Sequence, residues 1–202
     1  MPRANRVQPD GGFGPVPARG AFMGNRGCLH DASGVIRRRS TTKAWITCTL
    51  HEKPGRGAHP FPVPGRWTPL FFLDEAVACA AGHRPCAECR RAIYNDFRAA
   101  WGRAFGAVAK AAEMDAVLHA ARFGPRWTAV PGDLPPGAFF LWHDRAWLQG
   151  DGYALPYLGT GYGAPIPSPR DPAEILTPQP LVAVMRAGWR PVMSQGEDRP
   201  NW

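Results

Sequence analysis

The sequence predicts an α+β fold: a small mixed sheet with two or three helices, followed by a smaller β-rich half. Three observations predict it. Lys43 to Leu50 is mostly β-branched, aromatic or apolar, as a strand should be. Glu88 to about Phe105 has helical periodicity through Ile93, Phe97 and Trp101. Between them, Gly82-His83-Arg84-Pro85-Cys86-Ala87-Glu88-Cys89-Arg90 holds a Cys-x-x-Cys, whose thiolates can meet one metal ion from a tight turn. A redox pair of this spacing should follow a strand and open a helix, whereas a helix-like run, Leu73 to Ala81, precedes it here. Zinc is therefore the better reading, and the first half is expected to be zinc-stapled.

At 202 residues the chain makes one domain or two small ones, long enough to bury a core. With 23 Gly and 23 Pro it carries about twice their ordinary share, which implies loop-rich regions. The net charge is +8, and the basic residues are nearly all Arg, with Lys only at 43, 53 and 110. That balance favours a polyanionic partner, DNA or another nucleic acid, because the guanidinium fork suits phosphate. The basic N-terminus has no apolar core segment, so five Cys suggest a reducing cytoplasm with free or metal-bound thiols. No run approaches the length of a bilayer span, so no membrane partner is expected.

Taken in order, residues 1–22 are rich in Pro, Gly and Arg without periodicity and are expected to be disordered. Residues 23–123 form the metal-binding module. Within it, Val35-Ile36-Arg37-Arg38-Arg39 is expected as a basic edge strand, turning through Thr42 into Lys43 to Leu50. Residues 53–69 carry five Pro and three Gly and exclude regular structure. Leu70-Phe71-Phe72 then reads as a buried strand, with Asp74 as N-cap of a helix over Glu75 to Ala81 that Gly82 ends. A further helix runs from Ala107 to Arg122, with Met114, Val117, Leu118 and Ala121 on one face.

Residues 124–193 form the β-rich half. Ala138 to Trp142 and Arg145 to Gln149 read as a hairpin turning at His143-Asp144. Tyr153 to Pro169 is expected as loop, Glu174 to Thr177 as a last strand, and Pro178 as the first turn of a helix ending at Ala187-Gly188. Residues 194–202 are a frayed tail. One echo stands out: Ala81-Gly82-His83-Arg84-Pro85-Cys86 recurs as Ala187-Gly188-Trp189-Arg190-Pro191-Val192, without the Cys.

Phe71-Phe72-Leu73-Asp74-Glu75-Ala76, followed by Ala80-Ala81-Gly82-His83-Arg84-Pro85-Cys86-Ala87-Glu88-Cys89-Arg90, resembles the zinc-binding methylphosphotriester-repair domain at the N-terminus of Ada proteins. Upstream, Ala44-Trp45-Ile46-Thr47-Cys48 looks like the strand carrying that family's first zinc Cys, so the resemblance covers residues 37–105. It implies four thiolates on zinc, one of which accepts a methyl group from a DNA phosphotriester. By matching position, Cys48 would be the acceptor and a zinc ligand, with Cys86 and Cys89 as further ligands. The departure is the fourth ligand. The family has its second upstream Cys four residues after the first, and this chain has Glu52 there, beside His51. Cys48-x-x-His51 is a usable spacing and would make a Cys₃His site, while Cys28 and His30 are other candidates.

Arg37, Arg38, Arg39, Arg84, Arg90 and Arg91 flank the strand or the Cys turn and are the candidate phosphate contacts. Two functions are open to such a sequence: a zinc protein that binds DNA and takes a methyl group on Cys48, or a non-catalytic module that binds nucleic acid or protein, with purely structural zinc.

Overall fold

The computed structural model describes residues 4–50, 63 and 65–194. Short runs, with alternating burial in β3, β4 and β5, build the first sheet: β1 (Arg6–Val7), β2 (Phe13–Gly14), β3 (Phe22–Asn25), β4 (Ile46–Cys48), β5 (Leu70–Phe72) and, after helix α1 (Glu75–Ala80), β6 (Arg84–Pro85). Their order is β2-β1-β5-β3-β4-β6. The β1–β5 and β4–β6 pairs are parallel and the others antiparallel. Gly24 on β3 allows the close packing at the centre, because a Cβ there would lie 2.4 Å from Phe72 Cε2.

Helices α2 (Arg91–Phe105) and α3 (Ala111–Phe123) follow, then β7 (Trp127–Ala129), β8 (Phe139–Trp142), β9 (Arg145–Gln149), β10 (Tyr153–Pro156), β11 (Ile166–Pro167), β12 (Ala173–Ile175) and α4 (Gln179–Arg186). The second sheet is antiparallel throughout, in the order β11-β10-β9-β8-β12-β7. The protein is thus α+β. The expected hairpin forms as β8–β9, turning through His143 (φ 47°) and Asp144 (φ 55°), where a two-residue turn needs left-handed backbone.

Two apolar cores hold these layers. Phe97, Trp101, Met114, Leu118, Leu181 and Met185 of α2, α3 and α4 pack on Phe140 and Ile175 from one face of the second sheet. Phe139 and Leu148, together with Leu176, join Phe22, Leu70, Phe72 and the Ala-rich α1 in the other core. Adjacent residues of β8 thus serve different cores, as strand alternation requires. Both cores cross the boundary at residue 124. No helix among the described residues is long and apolar enough to cross a membrane.

Several expectations are corrected. Residues 4–22 are not disordered: β1 and β2 form a hairpin, and β1 lies against β5. Val7 is buried, Asn5 Nδ2 donates to the Pro69 carbonyl at 3.0 Å, and Phe71 N–H donates to the Asn5 carbonyl at 3.0 Å. Val35 to Arg39 makes only the His30–Ile36 bridge and no strand. Tyr153 to Pro169 is not all loop, since β10 extends the sheet and β11 covers its edge. Val117 points outward while Met114 and Leu118 are buried.

The echo is a structural repeat. In each copy a strand (β5, β12) leads into a helix ended by a positive-φ Gly, Gly82 at 87° and Gly188 at 99°. His83 N–H donates to Ala78 O, and Trp189 N–H to Val184 O, the six-to-one bond of a glycine-capped helix end. The copies then diverge. Arg84 and Pro85 join β4, whereas Val192 docks on the start of α1, its carbonyl accepting from Glu75 and Ala76 N–H and its own N–H donating to Glu75 Oε2 at 3.0 Å.

Asp74 ties these parts together. Its carboxylate caps α1 through Val77 N–H (2.9 Å) and also accepts from Tyr162 Oη (2.7 Å) and Ser194 N–H (2.9 Å). Asp74→Ala removes the cap and orphans buried donors, so denaturant unfolding should show a loss of about 2–4 kcal/mol. A loss below about 0.5 kcal/mol would mean that the cap and its partners carry no stability.

Candidate metal centre

The site starts from a parallel pair at the edge of the first sheet. Arg84 N–H donates to Trp45 O at 3.1 Å, and Cys86 N–H to Thr47 O at 3.0 Å. Pro85 lies between these donors, so the residue without an N–H occupies the position that faces away from β4, at the sheet edge. This register sets Cys48, the last residue of β4, beside Cys86, and the turn beyond Cys86 returns Cys89. The sulfur atoms of Cys48, Cys86 and Cys89 all lie within 4.8 Å of one another. A tetrahedral thiolate site with metal–sulfur bonds of about 2.3 Å has sulfurs about 3.8 Å apart, so small side-chain adjustments close the set around one ion.

The turn also favours anionic sulfur. Glu88 N–H points at Cys86 Sγ from 3.4 Å. Hydrogen bonds from Cys48 and then Cys89 draw the Cys86 thiol far below its ordinary value, with the Cys89 and Glu88 amides adding to this. Donating to Cys86 and Cys89, and then burial, push Cys48 far up. Cys89 is drawn down by Cys48, but its donation to Cys86 and its burial together outweigh that. Among the three thiols, Cys86 is thus the one most favoured as thiolate. A cation supplies what would let all three ionise. Cys86 is buried, whereas Cys48 and Cys89 are partly exposed.

Three of the predicted ligands are thus together. His51, the expected fourth, lies outside the described residues. Cys28 is not in the cluster: its sulfur faces the His30 carbonyl at 3.9 Å. His30 is engaged at both ring nitrogens, by Thr68 Oγ1 at 2.6 Å and the Val63 carbonyl at 3.2 Å. Cys79 is buried in the core, where desolvation raises its pKa.

The predicted phosphate contacts divide. Arg37, Arg38, Arg39 and Arg91 are exposed, with Arg37 paired to Asp31 at 2.9 Å. Arg84 and Arg90 are corrected: both are buried and internally paired. Arg84 makes a forked contact with Asp115 at 2.8 and 2.7 Å, and Arg90 pairs with Glu75. These pairs tie α3 to β6 and the Cys turn to α1. Neither carboxylate was legible as a partner, because 31 and 15 residues separate the pairs and no local pattern marks them.

Sequence reasoning also missed Arg26 and His83. Arg26 is fully buried, and its Nε donates to His83 Nε2 at 2.8 Å. That bond requires a neutral His83 whose Nδ1–H donates to the Ile46 carbonyl at 3.1 Å. Burial, then the positive charges of Arg26 and Arg122, hold the His83 pKa well below 6.5.

Compared with known proteins, the chain matches no family model, no curated protein and no solved structure.

His83 sets a pH dependence. It is neutral when folded and takes up a proton below about pH 6.5 when unfolded, so its contribution is complete above that pH and is lost as pH falls. The stability of wild type should fall below pH 6.5 by up to about 1.4 kcal/mol per pH unit more steeply than that of His83→Gln. Parallel curves from denaturant titrations at pH 5 to 8 would show that His83 is not held neutral.

Proposed function

We propose that this chain is a zinc-binding module of the Ada type that binds DNA, with Cys48 as the thiol that accepts a methyl group. The carrying observation is the convergence of Cys48, Cys86 and Cys89, with all three sulfurs within 4.8 Å. Soft sulfur donors on a turn with an N–H···S contact suit zinc, and the Ala-Gly-x-Arg-Pro-Cys-x-x-Cys-Arg turn supports the same reading. When bound, zinc would hold Cys48, Cys86 and Cys89 as thiolates, with the fourth position supplied from outside this trio.

Cys48 suits the acceptor role because it ends its strand partly exposed, while Cys86 is buried. In the transfer, a lone pair of the Cys48 thiolate forms a bond to the methyl carbon. The carbon–oxygen bond of the phosphotriester breaks, and the phosphodiester leaves with that electron pair as an anion. The protein is consumed stoichiometrically, since the thioether has no route back. Arg37, Arg38, Arg39 and Arg91 are the exposed cations for the DNA backbone.

One observation favours a second reading, in which zinc is structural and the module only binds. Arg84 and Arg90, two of the three cations that flank the Cys turn in sequence, are buried and committed to Asp115 and Glu75. Two measurements separate these readings. Metal analysis should give one zinc per chain, lost in Cys86→Ser and Cys89→Ser, and a chain that purifies without metal overturns both. Incubation with methylphosphotriester DNA should add a single methyl to the Cys48 peptide by mass spectrometry. An unmodified Cys48 in the zinc-loaded protein leaves the structural reading.

A further inference from the structure

A second cluster lies at the opposite end of the β4–β6 pair, about 10 Å along the strand from the thiols. Trp45, just before β4, is buried, and two guanidiniums lie over its ring: Arg26 at 3.9 Å and Arg122 at 4.3 Å from the ring centre. Arg39 lies over Phe123, 5.7 Å from its centre, and Phe123 meets Trp45 edge-on at 6.0 Å and His119 at 4.9 Å. Lys43 is exposed on the same segment and accepts Arg122 Nη1 on its carbonyl.

This cluster is short of acceptors. Arg26 Nη2, Arg122 Nη2 and His119 Nδ1 are all buried without a hydrogen-bond partner. Among the described residues, the other Arg26 and Arg122 donors reach neutral acceptors: His83, and the carbonyls of Gly11, Gly82 and Lys43. Nearby Asp115 is committed to Arg84 at both oxygens. Burial, then repulsion from Arg122 and Arg39, holds the Arg26 pKa well below its ordinary value, with Asp10 opposing. Burial likewise brings Arg122 down to about 9, against the opposing field of Asp115. One buried and one half-buried guanidinium, each with an open donor and, among the described residues, no carboxylate hydrogen-bonded to it, match an oxyanion of two or more charges.

We infer that this cluster is an anion site for a phosphate group, with Arg122 making the direct contact, Arg39 and Lys43 at the exposed rim, His119 beside them on α3, and Arg26 adding to it from the interior. The site is separate from the thiols and does not depend on what they hold.

The test uses the full chain with Arg39→Gln/Lys43→Gln, which alters only the exposed rim, and with Arg122→Gln. Arg145→Gln, on β9, is the control. Inorganic phosphate, compared with chloride at equal ionic strength, should raise the unfolding midpoint of wild type and Arg145→Gln. The rim and Arg122 variants should bind it roughly tenfold more weakly by calorimetry, with unchanged metal content. A short DNA duplex then distinguishes the source. A duplex that displaces phosphate from wild type, with an affinity that falls in the rim variant, identifies a nucleic-acid phosphate; a duplex that does not displace it identifies a free one. Wild type that responds alike to phosphate and chloride, or rim and Arg122 variants that bind phosphate as wild type does, overturns the inference.

Discussion

The parallel pairing of β4 with β6 is the constraint on which the rest depends. Only two backbone bonds are needed, Arg84 to Trp45 and Cys86 to Thr47, but they fix register along both segments. Parallel register means that like ends align. Cys48 and Cys86 meet at one end, while Trp45 meets His83 at the other, with ring centres 5.4 Å apart. A slip of one residue would turn Cys86 to the other side of the edge and put the Pro85 nitrogen where a donor is needed. The pairing is also held from outside by Arg84 on Asp115, so α3 fixes a strand too short to hold itself.

The glycine-ended helices explain how so short a strand is aimed. Each copy of the repeat changes the chain's direction within two residues, because Gly82 and Gly188 adopt a backbone that other residues rarely enter. Beyond these glycines the two copies differ in purpose. The first copy delivers two cysteines to a sheet edge, and the second delivers Val192 to the N-terminus of α1, where Glu75 binds both Val192 N–H and Arg90. The C-terminal half thus reaches the Cys turn through one buried carboxylate. A repeated strand-and-helix unit thus places thiols in one copy and a scaffolding contact in the other.

Much of the site was legible in the sequence because its signals are local. Cys-x-x-Cys, the Asp74 cap and the positive-φ Gly82 each act within a few residues and appear as expected, and the strand expected over Lys43 to Leu50 forms over Ile46–Cys48. The misses share one physical origin, since each is decided by a distant partner. The Pro- and Gly-rich opening composes like a disordered segment, yet it folds because β5 offers a free edge and Asn5 and Val7 find partners there. Tyr153 to Pro156 looks like loop but gains its ladder from β9. Arg84 and Arg90 are indistinguishable in sequence from Arg91, and only tertiary carboxylates separate buried from exposed.

That separation changes what the net charge means. A surplus of +8 suggests a basic surface, but the structure withdraws Arg26, Arg84 and Arg90 from solvent. Two of these are neutralised by carboxylates and cost the fold little beyond desolvation. Arg26 is different: its partners are a neutral imidazole, a carbonyl and two aromatic faces, which soften a buried charge without cancelling it. Such an arrangement is costly in an isolated fold and persists where the surrounding structure or a bound group compensates. Arg39, Lys43 and Arg122 gather more positive charge around Trp45 and Phe123, next to the strand that also carries Cys48. That segment presents cations at its start and sulfur at its end, an order that can grip an anion with one end while the other remains free for metal.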